Sequence, residues 1–333
     1  MIIPPPLPGY QKTPPAFPDW YIATILLPRD SVERIPMQHT GELAALGTAI
    51  CWTVTVTAFE VAAKRIGSIP VNVIRLMQGL VMLALFTLVT RGMIVPLDAP
   101  ARVWFWLSLS GVIGFVVGDI FLFRAFVLIG SRITMLLFAL VPPITALMGW
   151  MLMGEVLVQR AWLGMAVTVA GIAIVILTRK GGASRKLCFS HSVKGIVFAL
   201  LGAVGQAGGL VLSKYGMGDF DAFAATQIRI LAAFLLFSTG FAASGFRRRI
   251  ATGFRDRKAL GIIALGAFFG PFIGVSLSLV AIKHIETGIA STIMALVPVF
   301  LIVPAVLIYH QRIRVREIVG ALVAISGVAL FAF

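Results

Sequence analysis

Charge is scarce in this chain. Of 333 residues only 12% are Asp, Glu, Lys or Arg, while 59% are hydrophobic; soluble domains carry roughly a quarter charged residues. A water-soluble core cannot absorb that much apolar surface, so a globular protein is excluded. Cysteine is almost missing, with Cys51 in an apolar block and Cys188 in a basic loop, so no disulfide framework and no CxxC metal site can be built. The four histidines, His39, His191, His284 and His310, are scattered over loops and segment ends, and neither HExxH nor GxSxG occurs. A GxxxxGK[ST] loop is also absent. The chain thus lacks the patterns of a metallohydrolase, a serine hydrolase and an ATP-driven pump, and no enzyme activity, metal or cofactor is expected.

What the sequence does have is apolar blocks of about 20 residues, the length at which a helix crosses a hydrocarbon layer about 30 Å thick. Charged residues and Pro/Gly pairs punctuate them. The blocks predict helices over 43–63, 71–90, 103–128, 131–153 and 160–178, then over 194–214, 222–244, 259–283, 287–309 and 315–333. The fold class expected is an all-α membrane protein with ten transmembrane helices. The net charge of +15 lies in short runs between blocks, which suits topology and lipid head groups rather than nucleic acid. The first 36 residues hold nine of the 17 prolines, so residues 1–40 read as a disordered leader. "WYIATILL" within it is too short for a secretory signal and lacks a basic flank. Met37, directly before the periodic sequence, is an alternative start.

The chain also repeats itself. "LVPPITALMGWMLMGEVLVQRAWLG" from Leu140 is echoed 156 residues later by "LVPVFLIVPAVLIYHQRIRVREIVG" from Leu296. The same offset aligns Gly114 with Gly270, Gly118 with Gly274, Pro142 with Pro298 and Gly171 with Gly327, and an offset of 154 aligns Ile74-Arg75 with Ile228-Arg229. Residues 41–180 and 194–333 are therefore two copies of one five-helix unit, joined by a basic linker over 181–193. Five is odd, so the second copy enters the membrane from the opposite side, giving inverted repeats. These features, with "LxP" in each fourth span and "LMGE" at Leu152–Glu155, resemble the EamA-type ten-helix carriers of the drug/metabolite transporter superfamily. The resemblance covers about residues 41–333. It implies transport of small organic metabolites, often as export, by alternating access through a central cavity, in the plasma (inner cell) membrane. The second copy carries His310-Gln311 where the first has Gly154-Glu155.

Ionisable groups at membrane depth cost about 2.5–3.5 kcal/mol each on insertion scales, so each calls for a partner or a watered cavity. Asp119 stands in "VVGDIFLFRAF", and its counterpart is Val275. It reads either as a site for a proton or a substrate ammonium, or as half of a salt bridge with Arg75 or Arg124. Arg75 and Arg229 occupy matching places in the second and seventh spans, where a guanidinium can hold a carboxylate or snorkel to head groups. Trp52 and Gln206, which align at offset 154, join Gln78, Gln227, Ser276 and Ser278 as polar or aromatic candidates for the pathway. Glu60 and Lys64, at i,i+4, read as a rim pair. Gly114, Gly118, Gly270 and Gly274 recur every four positions and read as close helix contacts. Pro142, Pro143, Pro298 and Pro271 are candidate helix breaks or gates. Glu155 reads as a structural carboxylate that hydrogen-bonds nearby loop amides or caps the fifth helix.

Seventeen Lys/Arg fall on the side of the 178–194 and 244–259 loops and eight on the side of the termini, with Arg75, Arg124 and Arg229 left out. The positive-inside rule places those loops in the cytoplasm; the resemblance implies cytoplasmic termini. The function expected is a secondary transporter of a small organic metabolite, with Asp119 taking a proton or cation. The alternatives are a nucleotide-sugar or sugar-phosphate exchanger using Arg75 and Arg229, and a membrane scaffold without transport. Expected partners are the small-molecule substrate, membrane lipids and protons, with no nucleic acid, in a monomer or homodimer.

Overall fold

A computed structural model of the protein describes residues 39–178, 192–243, 247–303 and 315–332. The leader up to 38, Met37, Cys188, His191, Pro304, His310-Gln311 and nearly all of the linker lie outside the described residues. Among the described residues six helices are long and apolar enough to cross a membrane, and four shorter apolar helices accompany them. They stand at the ten expected places. The first and second spans are Thr40–Ile66 and Ser68–Arg91. The third runs through Ala101–Gly111, Val112–Gly118 and Asp119–Phe138. The fourth is Val141–Met153 and the fifth Gln159–Thr178. The second repeat supplies Val193–Met217, Ala222–Ala243, Arg257–His284, Thr287–Phe300 and Val315–Ala332 as spans six to ten. A short basic helix, Arg247–Arg255, lies between the seventh and eighth. Large apolar side chains such as Leu85, Phe105, Met151 and Leu322 face outward, as they must where the solvent is lipid.

The two copies are related by contacts that repeat in both directions. A Cβ on Gly171 would stand 2.7 Å from Gly320 O, and one on Gly327 would stand 2.7 Å from Gly164 O. Gly171 and Gly327 are counterparts, as are Gly164 and Gly320. Thr168 donates to the carbonyl of its own counterpart, Ala324, at 3.3 Å. In the second and seventh spans, Leu76 and Leu83 share one cluster with Ile230 and Phe237, again counterparts at offset 154. Reciprocal contact of this kind is what a two-fold axis produces, and here it passes between spans two and seven and between spans five and ten. Lipid supplies no hydrophobic drive between helices, so the small residues matter: they let backbones meet and gain dispersion contact.

Each first span packs on the other copy's third. Thr48 Oγ1 lies 3.3 Å from Gly274 O, and a Cβ on Gly202, the counterpart of Thr48, would stand 3.4 Å from Gly118 O. At this contact both middle helices widen into seven-residue π-helical stretches, Val112–Gly118 and Phe268–Gly274, at the same place in each repeat. Pro271 lies inside the second stretch, where the first has Phe115. Proline therefore does not create the widening, and the chain remains helical through Pro271 rather than breaking there.

The helix expected to stop near 128 continues to Phe138, and the break comes at Ala139–Leu140. Its counterpart is Ala295–Leu296. Leu140 N–H donates to Leu137 O and Leu296 N–H to Ile293 O, each at 3.1 Å, tightening the last turn to the i,i−3 pattern. Pro142 and Pro298 then stand in the first turn of the following helix, where an N–H has no intrahelical partner to lose. Pro143 follows in the same turn. A second break, at Ile285–Glu286, occurs only in the second copy.

Candidate functional site

Arg75 lies seven residues inside the second span, about 10 Å along the helix at 1.5 Å per residue. Its guanidinium Nη2 pairs with Asp119 Oδ2, at the point where the third span returns from π to α geometry. Gln206, from the sixth span, donates to Asp119 Oδ1 at 3.4 Å. Asp119 is buried, and the Arg75 side chain is largely so. Arg75 also lies over the Phe59 ring at 5.5 Å, while its Nε finds no hydrogen-bond partner. Three spans drawn from both repeats thus meet at one buried carboxylate. Arg124 is exposed and stacks on Phe198 at 5.9 Å, away from Asp119.

Arg229 is placed by the same logic and treated differently. It is 5% exposed, its Nε has no hydrogen-bond partner, and its guanidinium carbon lies 4.9 Å from the centre of the Phe115 ring. Gly114 leaves room for it, since a Cβ there would stand 3.6 Å from Nη2. Gly114 in turn meets the Gly209 backbone of the sixth span, so the wall beside the arginine carries few side chains.

Trp52 and Gln206 sit opposite the glycines that end the two π stretches. The Trp52 ring would be 2.9 Å from a Cβ on Gly274, and the Gln206 N 3.4 Å from one on Gly118. Gln78 donates to Leu260 O at 3.3 Å and leaves its Oε1 unpartnered. Asn72, buried and with Oδ1 unpartnered, is a residue that sequence reasoning missed. With Arg75 and Gln78 it falls at i, i+3 and i+6 on one helix face, a spacing that could have revealed it. Gln227 is engaged at both ends: it donates to Ile94 O at 2.6 Å and accepts from Thr87 at 3.0 Å. Ser276 and Ser278 turn back on their own helix, to Phe272 O and Val275 O at 2.6 Å. The structure therefore gathers Asp119, Arg75 and Gln206, sets Arg229 and Trp52 beside the two π stretches, and gives Gln227, Ser276 and Ser278 local tasks. The side chains of Glu60 and Lys64 lie outside the described residues. No group of three His, Cys, Asp or Glu able to hold a metal ion occurs among the described residues.

Glu155 acts between the repeats. Its Oε2 accepts from the Thr287 N–H at 3.0 Å and from the Thr287 hydroxyl at 2.6 Å. Its Oε1 lies 2.7 Å from Lys214 Nζ, which also donates to Ile285 O at 2.7 Å. The carboxylate thus caps the first turn of the ninth span rather than its own fifth helix, where anionic charge complements the helix N-terminus. Lys214 and Thr287 also escaped sequence reasoning. The signal lay in the repeat, because Lys214 is the counterpart of Glu60 and Glu155 that of Gln311, so only one face of the molecule can build this ion pair.

No curated protein matches this chain in sequence. Among solved structures, a crystal structure of a protein 18% identical superposes with a TM-score of 0.69, covering 87% of this chain and 96% of that one, which shows a shared fold. The sequence pattern of the EamA-like transporter family matches twice, over residues 39–177 and 193–333. With both copies of its five-helix unit accounted for in this way, the chain belongs to the EamA-like transporter family as an integral membrane protein.

Proposed function

We propose that this protein is a secondary carrier that moves a small organic metabolite between its two repeats by alternating access, with the Arg75–Asp119 pair as its charge switch. The observation that carries the reading is the cluster at Asp119, where Arg75 and Gln206 come from different repeats. Relative movement of the repeats must change the contact that Gln206 makes with that carboxylate. A proton on Asp119 removes the charge that holds Arg75, and a guanidinium so released seeks a new anion. Proton binding and repeat movement are thereby coupled through one residue.

The test is uptake into proteoliposomes under an imposed pH gradient. Wild-type protein is expected to accumulate solute against its gradient. Asp119→Asn is expected to keep passive exchange and lose the pH drive. Equal pH-driven accumulation by Asp119→Asn would remove Asp119 from the coupling. Exchange of a phosphorylated sugar or nucleotide sugar is the second reading, and the burial of Arg229 without a carboxylate partner among the described residues favours it.

A further inference from the structure

Arg75 and Arg229 are counterparts in the repeat, yet among the described residues only Arg75 meets a carboxylate. Arg75 has Asp119. At the position equivalent to Asp119 the second copy carries Val275, buried and apolar. The ion pairs at Asp98, Asp119, Glu155 and Asp256 engage Arg91, Arg75, Lys214 and Arg65. Among the described residues no carboxylate pairs with Arg229.

An isolated ion taken out of water carries a large penalty even after the surroundings relax. The Phe115 ring at 4.9 Å offsets part of it through a cation–π contact and supplies no hydrogen-bond acceptor for the N–H groups. A guanidinium does not escape by deprotonating, and it presents five N–H donors in a planar fork matched to two oxygens of one anion. A stable membrane fold that keeps such a group unpaired holds it ready for something that arrives. We propose that Arg229 receives the oxyanion, carboxylate or phosphate, of the transported solute, which fills the place that Asp119 fills beside Arg75. The inference rests on the carrier reading and narrows it to anionic metabolites. The Phe115 ring beside the guanidinium gives the solute an aromatic edge to lie against.

The test pairs each acid with its neutral twin. Detergent-purified protein is heated with short monocarboxylates and their primary amides, and with sugar phosphates and their parent sugars. Carboxylates or phosphates are expected to raise the melting temperature, and the neutral twins are not. Arg229→Gln is expected to weaken that binding about thirtyfold or more, the usual result of removing one partner of a buried charge pair, with Arg229→Lys intermediate and the exposed control Arg124→Gln unchanged. Arg229→Met needs no ligand. It removes an unpaired buried charge, so the ligand-free protein is expected to melt higher than wild type; a lower melting temperature means the charge was already satisfied within the fold and overturns the proposal. So does an anion response intact in Arg229→Gln, or a response confined to amides, sugars or amines. Phosphatidylglycerol added alone separates the source: a shift of equal size assigns the oxyanion to a lipid headgroup and removes the solute. Counterflow of any ligand found, whatever its charge, tests the carrier separately, so a neutral substrate that exchanges would leave the carrier reading standing and sink the anion site alone.

Discussion

Asp119 shows how one residue's role is set by what surrounds it. In the sequence it is a carboxylate in an apolar run, and the insertion cost alone marks it as a group with a task. Its partner could not be read the same way. Arg75 lies 44 residues away and Gln206 87 residues away, and local sequence offered Arg124, five positions on, on equal terms. The structure turns Arg124 outward. Breaking the pair by Asp119→Ala leaves a buried guanidinium alone and is expected to cost about 3–5 kcal/mol of stability. Replacing both members, with Arg75→Met and Asp119→Leu, is expected to recover most of that loss. Unfolding measured on the two single variants and the double variant would show the coupling, and strictly additive losses would argue against the pair. A second carboxylate gives a pH signature. Arg65 and the Ala259 N–H hold Asp256 below the ordinary carboxylate range, so its stabilisation is present above 3.8 and is lost as pH falls further through the depressed value. The stability gap between wild type and Asp256→Asn is expected to be widest near neutrality and to close below about pH 4; a gap that widens on acidification would contradict the assignment.

At the scale of the helix, hydrophobic periodicity located ten apolar segments and misplaced some of their ends. The reason is physical. A π stretch buries the same kind of residue as an α-helix, so VIGFVVG and FFGPFIG carry no signal in hydropathy, and the glycines at 114, 118, 270 and 274 read only as packing sites. Prolines read as interruptions within a helix, whereas Pro142 and Pro298 stand in its first turn, so the actual breaks fall just before them. The helix start after the break at Ile285–Glu286 is capped by Glu155, 132 residues from Thr287, and no local pattern could announce it. Glu155→Gln is expected to keep the packing and weaken the charge-assisted bonds, which contribute about 1.5–3 kcal/mol each. Hydrogen exchange at 287–290 should then quicken while exchange in the second and seventh spans stays as in wild type. Unchanged protection at 287–290 would show that the ninth span starts without this cap.

For the whole molecule, the duplication was the most legible feature, because an offset of 156 survives in residues chosen for backbone contact. What the offset could not show is that the copies interlock, with each first span on the other copy's third. Gly171 and Gly327 are where the two-fold relation is tightest. Gly171→Leu must drive a side chain into the Ala324 backbone, and overpacking of a close contact costs about 1–3 kcal/mol or more. Gly171→Leu and Gly327→Leu are expected to lower the melting temperature by similar amounts, as counterparts should; one harmless and one severe would weaken the two-fold account. Three asymmetries in this frame bear on function: Asp119 against Val275, Glu155 against Gln311, and an arginine that meets a carboxylate on one side and, among the described residues, none on the other. In the proposed mechanism solute binds between the interlocked repeats and crosses as they move. The decisive measurement is counterflow in proteoliposomes, in which vesicles are preloaded with unlabelled solute and entry of label is followed. A carrier predicts that solute loaded inside accelerates entry and that saturation sets a ceiling on the rate. Entry that is indifferent to internal solute, or no entry of any compound that stabilises the folded protein, would contradict it.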